Sequence, residues 1–336
     1  MTRSPDHPIK VLIATPHRLD LWIAPQWFSE RLTRDFPQLK IVRIDNFENF
    51  ENDISDAEIA FTFALSPEQL QAARKLRWIH SPSAAVHQFL FPEFVNSDVI
   101  LTNAREVHGP VVAEHVIALI FALAKKIPQA VRFQQHHVWG QEIAWRAGQR
   151  PQEIAGATLG LVGLGSIGRA VAKHAAALGM NVIAVREHPE NPKPESIHEV
   201  LPSSRLDELL ARSDYVVLAA PVTPATQNMI GRHQLAKMKP DAYLINVGRG
   251  SLIDEVALAE SLREQKIGGA ALDVFEQEPL AFESPLWDLE NLLITPHTAG
   301  MTEKLWERHY VLFSENLCRY LNGQPLLALV NKKGGY

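Results

Sequence analysis

The stretch TLGLVGLGSIG, residues 158–168, limits what this chain can fold into more than any other. A short apolar run, 159–162, ends at Gly163, Gly165 and Gly168; a helix-like segment, 166–178, follows, with Gly179 placed to close it. Strand, glycine turn and helix in that order form the context in which G-x-G-x-x-G points to a dinucleotide. Gly163 allows the tight turn, Gly165 lets backbone approach a pyrophosphate, and Gly168 lets the helix pack close to the strand. The helix N-terminus then turns its N–H groups toward the phosphates. A glycine turn without function is the plain alternative, and the second strand that follows at once, 181–185, weighs against it.

With 336 residues the chain has room for two domains. Apolar content of 46% and charged content of 21% are those of an ordinary soluble protein. A net charge of −5 and the lack of a basic tract argue against nucleic acid as a partner. The single cysteine, Cys318, leaves no internal disulfide, and the N-terminal MTRSPDHPIK lacks the apolar core of a signal peptide. The most apolar run, 111–124, is interrupted by Glu114 and His115 and is too short to cross a bilayer. A cytoplasmic protein without a membrane partner is therefore expected, with this run as a buried helix.

The first part of the chain alternates strands with helices. Strand-like runs are 9–14, 40–44, 59–63, 76–79 and 99–101. Residues 25–34 read as an amphipathic helix with Trp27, Phe28 and Leu32 on its buried side, and 67–74 as a helix opened by proline. Such alternation implies a parallel sheet covered on both faces. It holds no phosphate-type glycine turn, so it is not the cofactor half. Residues 110–125 predict a helix apolar nearly all round, as expected where two domains or subunits meet, with Pro128 ending it. Residues 131–150 show no clean period and read as an irregular connection or arm. A second set of strands follows at 159–162, 181–185, 215–219, 243–247, 270–274 and 292–295, with helices at 206–212, 231–237 and 255–264 and a proline-rich loop at 187–196. Six strands around one glycine turn fit a whole dinucleotide-binding sheet. The final helix, 302–321, carries Trp306, Tyr310, Phe313 and Leu317 on one stripe and is expected to pack on the first domain.

Three chemically able residues follow strand ends in the second set: Arg249 in NVGRG, Glu278 in DVFEQEP and His297 in TPH. In a parallel sheet the carboxyl ends of the strands share one edge, and ligands bind in the crevice there. Hydride arriving at the carbonyl carbon of a 2-keto acid leaves charge on oxygen, so a proton must be supplied. Histidine is the usual donor near neutral pH. A carboxylate beside it fixes the ring and favours its charged form, and an arginine fork can pair with the substrate carboxylate. Singly, each has a plain alternative: strand-end Arg and Glu are often surface charges, and such a histidine can do no more than bond to backbone. No residue is assigned to a metal.

At this point the sequence resembles the D-isomer-specific 2-hydroxyacid dehydrogenases. The resemblance rests on GLGSIG (163–168), LAAPVTPAT (218–226), MKPDAYLINVGRG (238–250), GGAALDVFEQEPL (268–280) and SPLWDLENLLITPHTAG (284–300). It implies an α/β protein of two Rossmann-like domains: a dinucleotide-binding parallel-sheet domain, 105–299, and a discontinuous flavodoxin-like substrate domain, 1–104 and 300–336. It implies Arg249, Glu278 and His297 as the catalytic triad. For the cofactor it implies Gly163, Gly165, Ser166, Ile167 and Gly168 at the phosphates, with Arg186, Ala220, Pro221 and Thr226 further along. Val247, Gly248, Arg249, Asp273, His297 and Gly300 complete that set, Asp273 lying near the nicotinamide carboxamide. The substrate carboxylate is expected at the backbone of Ala84, Ala85 and Val86 in HSPSAAVHQ (80–88), beside Arg249 and His297. Ala85 stands where the family has glycine, and alanine tolerates positive φ poorly, so a different loop shape is expected. Glu106 in NAREVHG (103–109) replaces a common glycine and is expected to point away from an anionic substrate.

An NAD site usually ends its second strand with Asp or Glu, roughly 20 residues after the glycine turn. Here Arg186 stands there, with His188 and Arg169 near, and an arginine pairs with a 2′-phosphate rather than with ribose hydroxyls. NADP(H) is favoured over NAD(H), against the adjacent Glu187. Glyoxylate or hydroxypyruvate is the first substrate expected, since reduction is the common direction with NADPH and the given chain carries no regulatory domain after residue 336. Pyruvate, phenylpyruvate and branched 2-keto acids rank behind. The resemblance implies a homodimer through the cofactor domain, with which the apolar helix 111–124 is consistent, and Trp139 and Trp145 are candidates for its packing or for reaching a pocket. Two other readings differ in class. A nucleotide-responsive corepressor would need a peptide-docking cleft and partner-binding tails. An oxidase of formate or phosphonate would differ around the catalytic residues; formate dehydrogenases generally carry Gln where Glu278 stands.

Overall fold

Short runs of branched aliphatic residues, each closed by a turn, become the strands of two parallel sheets. The structure, a computed structural model, describes residues 8–146 and 150–334. The chain divides into two compact units: residues up to His108 with those from Thr302, and Gly109–Met301. Both division points lie a few residues beyond 104 and 299.

The first unit is built on β1 (Ile9–Ala14), β2 (Leu39–Ile44), β3 (Ile59–Thr62), β4 (Trp78–Ser81) and β5 (Ile100–Asn103). All pair in parallel in the order β2-β1-β3-β4-β5, the flavodoxin-like order. β3 and β4 are buried along their length because both faces are covered. On one face, Phe28 and Leu32 of the helix Gln26–Asp35 pack with Tyr310, Phe313 and Leu317 of the helix Leu305–Leu321, as the stripe predicts. Trp27 differs from expectation: it is 36% exposed. Phe28 and Leu32 are four residues apart and share the inward face, whereas Trp27 sits a helical step to the side.

This unit also buries His80 and His309. His80 Nδ1 meets Thr102 Oγ1 at 2.8 Å, its Nε2 has no partner, and neither ring nitrogen of His309 has one, among the described residues. His309 packs on Trp306, with His108 at a centroid distance of 5.8 Å. Burial holds the His309 pKa well below its ordinary value and pushes His80 from 6.5 down to about 3. Such groups bind a proton more tightly in the unfolded chain. Their contribution to stability is therefore full above 6.5 and is lost as pH falls toward about 3. Thermal melts between about pH 7 and about pH 4 should show a smaller acid loss for His309→Phe than for the wild type. Equal losses would contradict the assignment.

The second unit holds β6 (Thr158–Val162), β7 (Asn181–Arg186), β8 (Glu199–Pro202), β9 (Tyr215–Leu218), β10 (Tyr243–Asn246), β11 (Gly269–Leu272) and β12 (Leu292–Ile294). Their order, β12-β11-β10-β9-β6-β7-β8, is that of a dinucleotide-binding sheet extended by one strand. β8 is the strand the sequence hides. It is short and at the sheet edge, opens on Glu199 and closes on Pro202, so neither alternation nor propensity marks it.

The helix Arg105–Ala124 starts earlier than predicted and includes Pro110. At 20 residues it is long and apolar enough to match a membrane span, unlike the shorter run read from sequence. Its Val112, Ala113, Val116, Leu119, Ile120 and Leu123 belong to the core of the second unit. Pro128 does not end this helix. It opens the next, Ile127–Gln135, where a first-turn proline loses no hydrogen bond. The expected irregular arm thus contains two helices, the second being Gln141–Arg146. Residues 147–149 of that arm lie outside the described residues.

Candidate active site

The carboxyl ends of β6, β7, β9, β10, β11 and β12 lie on one edge of the second unit's sheet. After β6 the chain turns at Gly163, where φ is +97° and a Cβ would lie 2.8 Å from backbone atoms of Ala219 and Ala220. Gly168 approaches Gly163 O so closely that a Cβ would fall 2.3 Å from it. Gly165 differs: nothing lies within 4 Å of where its Cβ would be. It stands at the N-cap of the helix Ser166–Ala177 with extended backbone. Open space over Gly165 at a helix N-terminus fits a pyrophosphate. The crevice opens between β6 and β9, where strand order reverses. Ala220 and Pro221 follow β9, and Thr226 Oγ1 ties that loop by donating to Pro221 O at 2.7 Å.

Arg186 ends β7. Its guanidinium bonds the carbonyls of the following loop: Pro189 O and Pro192 O at 3.4 Å each, and Asn191 O. Its Nε is buried without a partner among the described residues. The arginine stands where the sequence places it, with some of its donors turned inward to its own loop.

After β10 the chain reads Val247–Gly248–Arg249–Gly250. Asn246, buried in the strand end, shapes this turn: its Oδ1 accepts from Gly248 N at 3.0 Å and its Nδ2 donates to Arg249 O at 2.9 Å. Arg249 is half-buried and donates from Nη1 to Gly248 O at 2.6 Å. Burial lowers its pKa from the ordinary arginine value, and the charge of Glu278 acts against that shift. A Cβ on Gly250 would lie 1.9 Å from the carbonyl carbon of Phe275, so the arginine turn fits against the Glu278 loop only with glycine there. Gly250→Ala should therefore cost roughly 1–3 kcal/mol or more of stability, since backbone, not a mobile side chain, must move. Urea denaturation checks this; an unchanged midpoint would contradict it.

Glu278 and His297 form a pair. His297 Nδ1 meets Glu278 Oε2 at 2.6 Å, and Glu278 Oε1 accepts from Phe275 N at 3.0 Å. With the carboxylate as acceptor, Nδ1 carries the hydrogen in this bond, and Nε2 is left to hold or give a proton. The ring is half exposed, so a substrate can reach it. Its backbone lies in the left-handed region at φ +54°, unusual for a residue other than glycine. Strain of this kind persists only where surrounding bonds over-determine it.

Asp273 supplies those bonds. Its carboxylate accepts from Thr295 Oγ1 at 2.6 Å, Thr298 N at 2.9 Å and Ala299 N at 3.0 Å, and its carbonyl accepts from His297 N at 2.9 Å. It is 1% exposed. The resemblance sets Asp273 beside the nicotinamide; here both carboxylate oxygens are engaged with the loop that carries His297. Gly300 ends this loop, half-buried.

In the first unit, Ala84 O accepts from Asn103 Nδ2 at 2.6 Å and Ala85 O from Gln88 Nε2 at 3.3 Å. No positive φ occurs at Ala84, Ala85 or Val86, which is how alanine is accommodated where the family has glycine. Their N–H groups have no acceptor among the described residues. Glu106 is exposed in the first turn of its helix. Sequence reasoning missed Asn246, Thr295 and His115. Asn246 is legible as a polar residue closing an otherwise apolar strand, and the other two leave no local signal.

Comparison with known proteins bears on the family of this chain. Residues 117–299 match the family model for the D-isomer specific 2-hydroxyacid dehydrogenase, NAD binding domain. A glyoxylate reductase from Korarchaeum cryptofilum is 32% identical over 325 residues, covering 90% of this chain and 95% of that protein. A D-3-phosphoglycerate dehydrogenase from Methanocaldococcus jannaschii is 34% identical over 96% of this chain, which spans only 59% of that protein's length. Among solved structures, an NADPH-dependent glyoxylate/hydroxypyruvate reductase from Sinorhizobium meliloti, in complex with NADP and sulfate, superposes with a TM-score of 0.80 at 26% identity, covering 98% of this chain and 100% of that one.

Proposed function

This chain belongs to the D-isomer-specific 2-hydroxyacid dehydrogenase family, an NAD(P)-dependent enzyme of that kind, and on that premise we propose that it reduces glyoxylate or hydroxypyruvate with NADPH. The observation that carries the chemistry is the 2.6 Å pair of His297 and Glu278 beyond two strand ends that share an edge with Arg249. The turn of Gly163, Gly165 and Gly168 would hold the pyrophosphate of a nicotinamide nucleotide, which would supply the hydride. Arg249 pairs with the substrate carboxylate and polarises the carbonyl. His297 gives the Nε2 proton to the carbonyl oxygen as charge develops there. Glu278 holds the ring by Nδ1 and balances the imidazolium. The N–H groups of Ala84, Ala85 and Val86, without an acceptor among the described residues, support a role in binding an anion.

The substrate choice is supported by the relatives named glyoxylate reductase and glyoxylate/hydroxypyruvate reductase. Steady-state kcat/KM for glyoxylate, hydroxypyruvate, pyruvate and phenylpyruvate, with D-3-phosphoglycerate in the oxidative direction, tests it. A clear lead for pyruvate, phenylpyruvate or D-3-phosphoglycerate would overturn it.

NADP(H) is preferred on the strength of Arg186 at the end of β7. Charge-assisted bonds of this kind contribute roughly 1.5–3 kcal/mol, so Arg186→Ala should raise KM for NADPH about ten- to hundredfold and leave KM for NADH nearly unchanged. Parallel titrations with both nucleotides check this; an equal effect on both, or a wild type as efficient with NADH, would refute the preference. A homodimer is supported by the apolar arm, where Trp139 is 88%, Ile143 52% and Trp145 60% exposed. Side chains of this size are costly to leave in water.

A further inference from the structure

His115 lies on the helix Arg105–Ala124, away from the three catalytic residues in sequence, and its ring reaches the Asp273 hub. His115 Nε2 meets Thr295 Oγ1 at 3.1 Å and stands 3.7 Å from Asp273 Oδ1. Thr295 Oγ1 in turn lies 2.6 Å from that same Asp273 oxygen. These distances fix the direction of every bond. Asp273 is a buried carboxylate and can only accept, so the single proton of Thr295 points at Asp273. The Thr295 oxygen is then an acceptor toward His115, and His115 carries its hydrogen on Nε2. The opposite tautomer would draw the Thr295 proton to the imidazole and leave two oxygens 2.6 Å apart with no hydrogen between them. Burial lowers the His115 pKa, with Asp273 opposing, in keeping with a neutral ring holding one proton.

Resting on the assignment of His297 as the proton donor, we propose that His115 is a positioning residue for that donor, acting through Thr295 and Asp273. His115 orients the Thr295 hydroxyl. The hydroxyl completes the set of donors around Asp273, and Asp273 holds residues 295–299 in the fold that keeps His297 in its left-handed backbone conformation. With the N–H of His115 removed, Thr295 is free to turn its proton elsewhere. The buried carboxylate then lacks a donor, and the His297 loop loses its tightest tie. The proton reaching the substrate still comes from His297; His115 moves no proton in the reaction.

The test compares H115F, H115Q, T295V and the double variant H115F/T295V. For each, kcat and KM for the keto acid, the Kd for NADPH by fluorescence, and Tm are measured. Misplacement of a reacting group should lower kcat in H115F roughly ten- to a hundredfold, while KM and nucleotide Kd stay within about threefold. Gln carries an N–H where His has Nε2, so H115Q should recover most of kcat. T295V should resemble H115F, and the double variant should be no worse than T295V, because both break one chain of bonds. Full kcat in H115F, no recovery in H115Q, or additive losses in the double variant would each overturn the proposal. A variant with a low Tm and proportionate losses in KM and Kd would mark His115 as a packing residue and overturn it too. A wild type that turns over no keto acid would count against the functional assignment itself, which separates the two failures.

Discussion

Alanine in place of His297 lowers kcat for keto-acid reduction by roughly 10²–10⁴, the range for loss of a general acid, and leaves the Kd for NADPH nearly unchanged. The expectation follows from geometry. Nδ1 is committed to Glu278 at 2.6 Å, so Nε2 alone can meet a carbonyl oxygen. The ring is half exposed, and the glycine turn before the helix Ser166–Ala177 follows a different strand. Stopped-flow binding beside steady-state turnover separates the two quantities. Retained turnover would show that another group supplies the proton.

Arg249→Ala should lower kcat/KM about 30- to several-thousandfold, corresponding to roughly 2–5 kcal/mol for truncating one partner of a desolvated charge pair. Arg249 is held by Asn246 and Gly248 and shares its field with Glu278. On the proposed role its removal takes away the cation that pairs with the substrate carboxylate, and it leaves Glu278 less compensated. Arg249→Lys should recover little, because an ammonium cannot reproduce a planar two-pronged contact. Substrate saturation curves for the two variants check this. An alanine variant that lost affinity for NADPH but kept its keto-acid kinetics would place Arg249 with the nucleotide instead.

Much of this architecture was legible because each level of the sequence agrees with the next. The glycine turn after residues 159–162 marks strand, turn and helix by backbone requirement, and Gly163 does adopt positive φ. The stripe through Tyr310, Phe313 and Leu317 returns the last helix to the first unit for the same reason of periodicity. Arg249, Glu278 and His297 could be singled out because parallel topology puts strand ends on one edge, whatever their separation in sequence, and the structure pairs the last two. Other features depend on tertiary context. β8 is an edge strand with no alternation, and helix Ile127–Gln135 has in its first turn a proline that by itself reads as a stop. Asp273 stood out only through the family resemblance, inside the run read as strand 270–274, and its bonds to Thr295, Thr298 and Ala299 exist only once the loop has closed around it. His115 sits in a run of apolar residues, 180 positions in sequence from the threonine it touches, and no local pattern connects them.

The most direct test of the account follows the hydride. Wild-type protein is incubated with NADPH deuterated at the transferring position and with hydroxypyruvate, and the product is analysed by mass spectrometry and on a chiral column. The account predicts glycerate of D configuration carrying one deuterium at C2, formed in step with nucleotide oxidation and suppressed in His297→Ala. Nucleotide that binds but transfers no deuterium to hydroxypyruvate or glyoxylate, or glycerate of L configuration, would contradict it.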